Sequence, residues 1–155
     1  MSVVFEIRPD DLRGPQIAAL LAAHLDDMRA TSPPESVHAL DLDGLRVPEV
    51  SFWAVWAGAA LAGCGAMKAL GGGEGEIKSM RTAPAFRRRG VAALMLHHLI
   101  DEGRARGYAC LRLETGSMAF FAPARQLYAR FGFRETGPFA AYRDDPNSVF
   151  MALDL

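Results

Sequence analysis

Cysteine is scarce in this chain: there are two, Cys64 and Cys110, far apart inside apolar runs. They form neither a CxxC pair nor the dense spacing of a disulfide scaffold, so a reducing, cytoplasmic setting is expected and both read as small core residues. A surplus of charge of one sign is also missing, because 17 basic side chains face 18 acidic ones for a net charge of −1. Bulk electrostatic binding to nucleic acid or to an anionic membrane needs a basic excess, so neither partner is expected. No apolar run reaches membrane-spanning length, and Met1 to Arg8 carries Glu6 and lacks the basic and apolar regions of a signal peptide. The standard nucleotide signatures are absent too: no GxxxxGK(S/T) occurs, and no GxGxxG follows a strand pattern.

What is present suits one domain over residues 1–155, since half of the residues are hydrophobic and 23 % are charged. Val3 to Arg8 reads as a strand closed by Pro9-Asp10-Asp11. After Gly14-Pro15, the residues Ile17, Leu20, Leu21, His24, Leu25 and Met28 recur at helical spacing and predict an amphipathic helix with Pro15 at its first position. Ser32-Pro33-Pro34-Glu35 has the spacing of a capping box and predicts a short second helix opening at Ser32 and fading near Gly44. Ser51 to Trp56 and Leu61 to Leu70 predict a hairpin about Gly58, and the glycines from 71 to 75 a flexible turn. A strand over Glu76 to Thr82, a helix over Gly90 to Arg106 and a strand over Tyr108 to Glu114 follow. A helix over Pro123 to Phe131 and closing strands over Phe133 to Thr136 and Ser148 to Leu155 complete the chain. The fold class is therefore α/β of the α+β type, with a mixed, mostly antiparallel central sheet flanked by helices.

One stretch carries chemistry. Arg87-Arg88-Arg89-Gly90-Val91-Ala92 lies between a strand and a helix. A helix start has unpaired N–H groups and partial positive charge, Gly90 permits close backbone approach, and the arginines, with Arg81 nearby, concentrate positive charge in a nearly neutral protein. An anion site, a polyphosphate above all, is the direct reading; a solvated helix start is the alternative.

The same stretch resembles the Q/R-x-x-G-x-G/A signature of the GCN5-related N-acetyltransferases, the GNAT family. The likeness extends to the strand Glu76 to Thr82 and to Ala124-Arg125-Gln126-Leu127-Tyr128-Ala129-Arg130-Phe131-Gly132-Phe133, similar to the family's A-x-x-L-Y-x-x-x-G-F segment. The resemblance implies acetyl-CoA as co-substrate and no metal. It places the pyrophosphate on Arg87, Arg88, Arg89, Gly90, Val91, Ala92 and Ala93, and the pantetheine along Met80, Arg81 and Thr82 as an added strand. The family's splayed central strands would separate Met80 from Leu113. Glu76 stands where several members carry a general base, with a surface glutamate near Lys78 or Arg81 as the alternative. Tyr128 stands where members place a general acid, with a buried structural tyrosine as the alternative. Phe121 replaces an Asn common seven residues before that tyrosine, and lines the cofactor channel or belongs to the core. For the acceptor, His24, His38, Asp41 and Asp43 and the loop from Tyr142 to Asn147 are candidates, against packing, capping and turn roles for the same residues. The adjacent His97 and His98 do not face each other on a helix and make no metal pair.

The activity implied is transfer of acetyl from acetyl-CoA to a small-molecule or peptide amine by direct attack in a ternary complex. A non-catalytic acyl-CoA-binding sensor is the rival, and a nucleic-acid-binding domain using the arginine run a weaker one. A homodimer is compatible with the resemblance.

Overall fold

Period-two alternation in the strands sends side chains to two faces of one sheet, and helices cover both. The computed structural model describes residues 3–155. In chain order the elements are β1 (Phe5–Pro9), α1 (Pro15–Thr31), α2 (Leu42–Leu45), β2 (Val50–Ala57), β3 (Ala60–Gly71), β4 (Glu74–Thr82), α3 (Val91–Ala105), β5 (Cys110–Gly116), α4 (Ala122–Arg130), β6 (Arg134–Thr136) and β7 (Ser148–Asp154). They form a seven-stranded sheet of order β1-β2-β3-β4-β5-β7-β6. Every neighbouring pair is antiparallel except β4 with β5. The crossover between those two is α3, as a parallel connection requires.

Phe52, Ala54, Cys64 and Ala66 face α1 and α2, where Ile17, Leu20, Leu21 and Leu45 close one core layer. Trp53, Val55, Met67, Ile77, Leu111, Leu113 and Met151 face the other way, against Val91, Met95, Leu96 and Leu99 of α3 and Leu127 and Tyr128 of α4. Small residues in β3 set the height of α3 above the sheet. A Cβ on Gly65 would stand 2.6 Å from Met95 Cγ, and one on Gly63 would stand 2.8 Å from Val91 Cγ1. The helix whose start matters for function therefore lies directly on glycine backbone.

The expected element order holds throughout, with one correction. Ser32 opens no helix: it is the C-cap of α1, its N–H donating to the Met28 carbonyl, and no capping-box bond to Glu35 forms. Ser32 and Pro33 each precede a proline, which disfavours the helical region, and both are extended at ψ 146° and 150°. Only a single 3-10 turn follows, at Pro34–Ser36. The second helix starts ten residues later, where the Asp41 carboxylate accepts from the Gly44 N–H.

Candidate active site

Strands β4 and β5 stay together for four residue pairs, from Glu74 with Cys110 to Ile77 with Leu113, and then part. The cause lies in β4. Opposite β3, Ala66 pairs with Lys78 but Cys64 pairs with Arg81, so β4 holds an extra residue, and Ser79 within it has φ 55°. A bulge of this kind bends its strand and re-aims the side chains beyond it. From Lys78 to Thr82 the β4 edge that faced β5 consequently has no strand beside it. Leu113 is still paired, so the opening separates Met80 from Glu114 and the residues after it, one step later on β5 than the sequence suggested.

The start of α3 lies just past this open edge. Arg88 at φ 63° and Gly90 at φ 80° turn the backbone through the left-handed region, the second at the glycine best suited to it. No side chain caps the helix and no acidic residue occupies its first turn, so the amides of Val91, Ala92 and Ala93 have no intrahelical acceptor. Arg87, Arg88 and Arg89 are exposed around them, with the Arg89 guanidinium 5.7 Å from the Phe86 ring centroid. These groups fit a diphosphate. Arg81 does not join them: its guanidinium turns to the α1 face and bonds Asp27 at 2.5 Å, which leaves only its backbone on the open edge.

Tyr128 of α4 is buried against Phe133, ring centroids 5.7 Å apart. Burial first, and the negative charge of Glu114 second, raise its phenol above the ordinary value, so it stays protonated at neutral pH. Phe121 is also buried. Its ring covers Gly116 at the end of β5 so closely that any Cβ there would overlap it. Phe121 thus belongs to the packing that ends β5, while its neighbour Phe120 is 48 % exposed.

On the opposite face, Glu76 is no surface residue. It is 3 % exposed, and its Oε2 accepts from the Tyr142 hydroxyl at 2.5 Å and from Lys78 Nζ at 3.2 Å. Lys78 Nζ also donates to the Tyr142 oxygen at 3.0 Å, closing a three-membered network across 66 residues of sequence. The stretch from Tyr142 to Asn147 is therefore more than a turn. Phe139, Tyr142 and Phe150 stack edge to face beneath the sheet, and His38 sets its ring 5.0 Å from that of Tyr142. Ser36 donates to Asp145, tying the segment before α2 to the loop before β7. A cavity of about 360 Å³ opens between these segments, with His38, Lys68, Glu76, Lys78, Tyr142 and Arg143 among its walls. Burial, then the Lys78 charge, lowers the His38 pKa.

Of the other acceptor candidates, none lines this cavity. Asp41 is spent on the α2 cap, Asp43 is exposed beside Arg46, and His24 is packed under α1 with its pKa lowered to about 4 by burial and by Arg81. Cys64 is inert, its thiol pushed up to about 12 by burial. Among the described residues no cluster of three His, Cys, Asp or Glu side chains could hold a metal ion.

Glu114 was not singled out by its sequence. It stands at the first position of β5 that no longer pairs with β4, accepts from the Ser148 hydroxyl at 3.0 Å, and has its pKa raised to about 7, chiefly by burial. Its charge raises the phenols of both Tyr128 and Tyr142, so it lies within electrostatic reach of each. No local signal marked it, since Arg112 shares its face of β5, is equally charged and stays partly exposed.

The profile of the acetyltransferase (GNAT) family matches residues 17–133. The chain is 56 % identical over 149 residues to the uncharacterized N-acetyltransferase YsnE of Bacillus subtilis, covering 96 % of this chain and 99 % of that one. It is 51 % identical over 152 residues to the uncharacterized N-acetyltransferase YedL of Escherichia coli, covering 98 % and 96 %. Among solved structures, a Bacillus subtilis acetyltransferase in complex with CoA shares the fold with a TM-score of 0.69 at 17 % identity, covering 98 % of this chain and 99 % of that one.

Proposed function

The chain belongs to the GNAT family of acetyltransferases, and on that premise we propose that it moves an acetyl group from acetyl-CoA to a small-molecule or peptide amine by direct attack in a ternary complex. One observation carries the reading: a β4 edge freed of its β5 partner runs into an uncapped α3 start ringed by three exposed arginines. An extended, amide-bearing arm ending in a diphosphate suits that pair of features. The amides of Val91, Ala92 and Ala93 with Arg87, Arg88 and Arg89 hold the diphosphate, and the backbone of Met80 to Thr82 receives the arm as an added strand. The CoA complex of the Bacillus subtilis structure supports the same co-substrate.

An amine of lysine-like pKa near 10.4 must give up a proton at a cost of roughly 4–5 kcal/mol at pH 7, so a base helps. Glu76 stands where the sequence suggested one, but its Oε2 is already bound by two donors. Glu114 is the better base. A carboxyl of pKa about 7 beside the strand opening is half ionised at neutral pH and able to take the proton. After Glu114 takes one proton from the ammonium, the nitrogen attacks the thioester carbonyl carbon, the C–S bond breaks and the departing sulfur takes a proton from Tyr128. The second proton shed by the nitrogen restores the phenol by way of solvent, and the products are an amide, the CoA thiol and one proton released from Glu114. Glu76 fixes Lys78 and Tyr142 in the acceptor cavity.

Calorimetry of acetyl-CoA and CoA binding, paired with thiol release over a broad amine panel, tests this. Binding with turnover is expected. Tight binding with no turnover favours an acyl-CoA sensor, and no binding heat removes the reading altogether.

A further inference from the structure

The floor of the cavity beside Glu76 carries two ammonium groups, Lys68 and Lys78, with hydrogen-bonding capacity to spare. Lys78 is 9 % exposed in its side chain, and its ammonium donates to Glu76 and to Tyr142. An ammonium has three N–H donors, so these two partners leave one over. Lys68 stands directly opposite Glu76 in the β3–β4 register and lines the same cavity. Among the described residues it forms no ion pair. Lys78 is thus paired with Glu76 while Lys68 has no carboxylate of its own, and Glu35, Arg143 and Asp144 stand exposed around the cavity mouth. Asp145 is occupied as well, accepting from Ser36 Oγ and from the Asn147 N–H. A buried or half-buried positive charge left without a partner is costly, whereas a ligand carboxylate arriving there meets complementary charge.

Size and orientation narrow the ligand further. A cavity of about 360 Å³ admits a molecule of amino-acid dimensions. Lys78 is the first β4 residue beyond the last pair with β5, so a molecule held on Lys78 lies beside the strand opening.

We propose that the acceptor is an amine that also bears a carboxylate, of α-amino-acid size, anchored through that carboxylate on Lys78 and Lys68 with its nitrogen turned toward the gap between β4 and β5. The proposal rests on acetyl transfer at that gap.

The test uses the full chain with acetyl-CoA, following CoA thiol release with the common amino acids, each matched to its carboxamide and to the amine lacking the carboxyl group. The expected result is at least a tenfold higher kcat/KM for the carboxylate member of the best pair, and a fall of that ratio toward one in Lys68→Gln. Turnover of carboxamides or simple amines at rates equal to or above those of the carboxylates overturns this inference and leaves acetyl transfer standing. An unchanged ratio in Lys68→Gln also overturns the assigned anchor. No turnover with any of the three sets overturns the transfer reading and this inference with it.

Discussion

The hydroxyl of Tyr142 donates to Oε2 of Glu76 at 2.5 Å and so pins the connection between β6 and β7 to the middle of β4. Lys78 completes the contact from the same strand, its ammonium also lying 5.7 Å from the Tyr142 ring centroid. Removing the hydroxyl alone leaves the aromatic stack with Phe139 and Phe150 in place but frees one lone pair of a buried carboxylate. Tyr142→Phe is therefore expected to cost about 1–3 kcal/mol of stability. It should also raise KM for the acceptor several-fold while acetyl-CoA affinity, read by calorimetry, stays the same.

On the proposed mechanism Glu114 sets the pH dependence of the reaction. The rate should rise with pH through about 7 as this carboxyl ionises, and Glu114→Gln should abolish that limb and lower kcat by on the order of 10²-fold. Stability runs the other way. The folded-state pKa is raised, so the native state holds this proton more tightly than the unfolded chain does. The resulting stabilisation is complete below about pH 4.5 and is lost as pH rises through about 7. Urea unfolding at pH 8 should accordingly find Glu114→Gln more stable than the parent protein, and a less stable variant would contradict the burial argument.

Tyr128→Phe separates the acid from the packing. The ring contact with Phe133 survives the change. A loss of the order of 10²-fold in kcat with acetyl-CoA affinity intact is expected from single-turnover kinetics. Full activity would make Tyr128 a core residue only.

Gly90 tests the diphosphate cradle. At φ 80° an L side chain is strained even though nothing stands within 4 Å of its Cβ position. Gly90→Ala should cost about 1 kcal/mol of stability. It should also weaken CoA binding by tenfold or more while leaving the affinity for pantetheine, which lacks the diphosphate, unaffected.

His24 should make the fold acid-sensitive in its own window. Its pKa is lowered from 6.5 to about 4 by burial, so the neutral form is stabilised in the native state. That stability is present above about pH 6.5 and is lost as pH falls through about 4, amounting to roughly 3 kcal/mol at most. His24→Gln should flatten the decline in melting temperature across that range.

Much of the architecture was legible along the chain because it depends on near neighbours. Helical spacing from Ile17 to Met28, the hairpin about Gly58 and the strand, loop and helix around Arg87 to Ala92 are each set by residues within a few turns of one another, and each forms as its pattern predicts. Ser32 and Glu35 had the spacing of a cap as well, but the two prolines between them removed the helix the cap requires. The arginine run and the glycine it leads into were equally local. What stayed hidden was any property created by burial or by contacts far apart in sequence. Glu76 could be read along the chain as a general base or as a strand-surface residue, and its burial arises only where Tyr142, 66 residues away, closes over it. Glu114 showed no motif, and only its place where β5 loses its parallel partner gives it a pKa near neutrality. Sequence alone determined most of the helices and strands and put an arginine run with a glycine at a helix start, since backbone propensity, helix-end polarity and side-chain period are local. Tertiary structure decided that Glu76 is bound by Tyr142 and Lys78 while burial holds Glu114 near neutrality, because desolvation and opposite-charge pairing exist only once distant strands and loops enclose those groups.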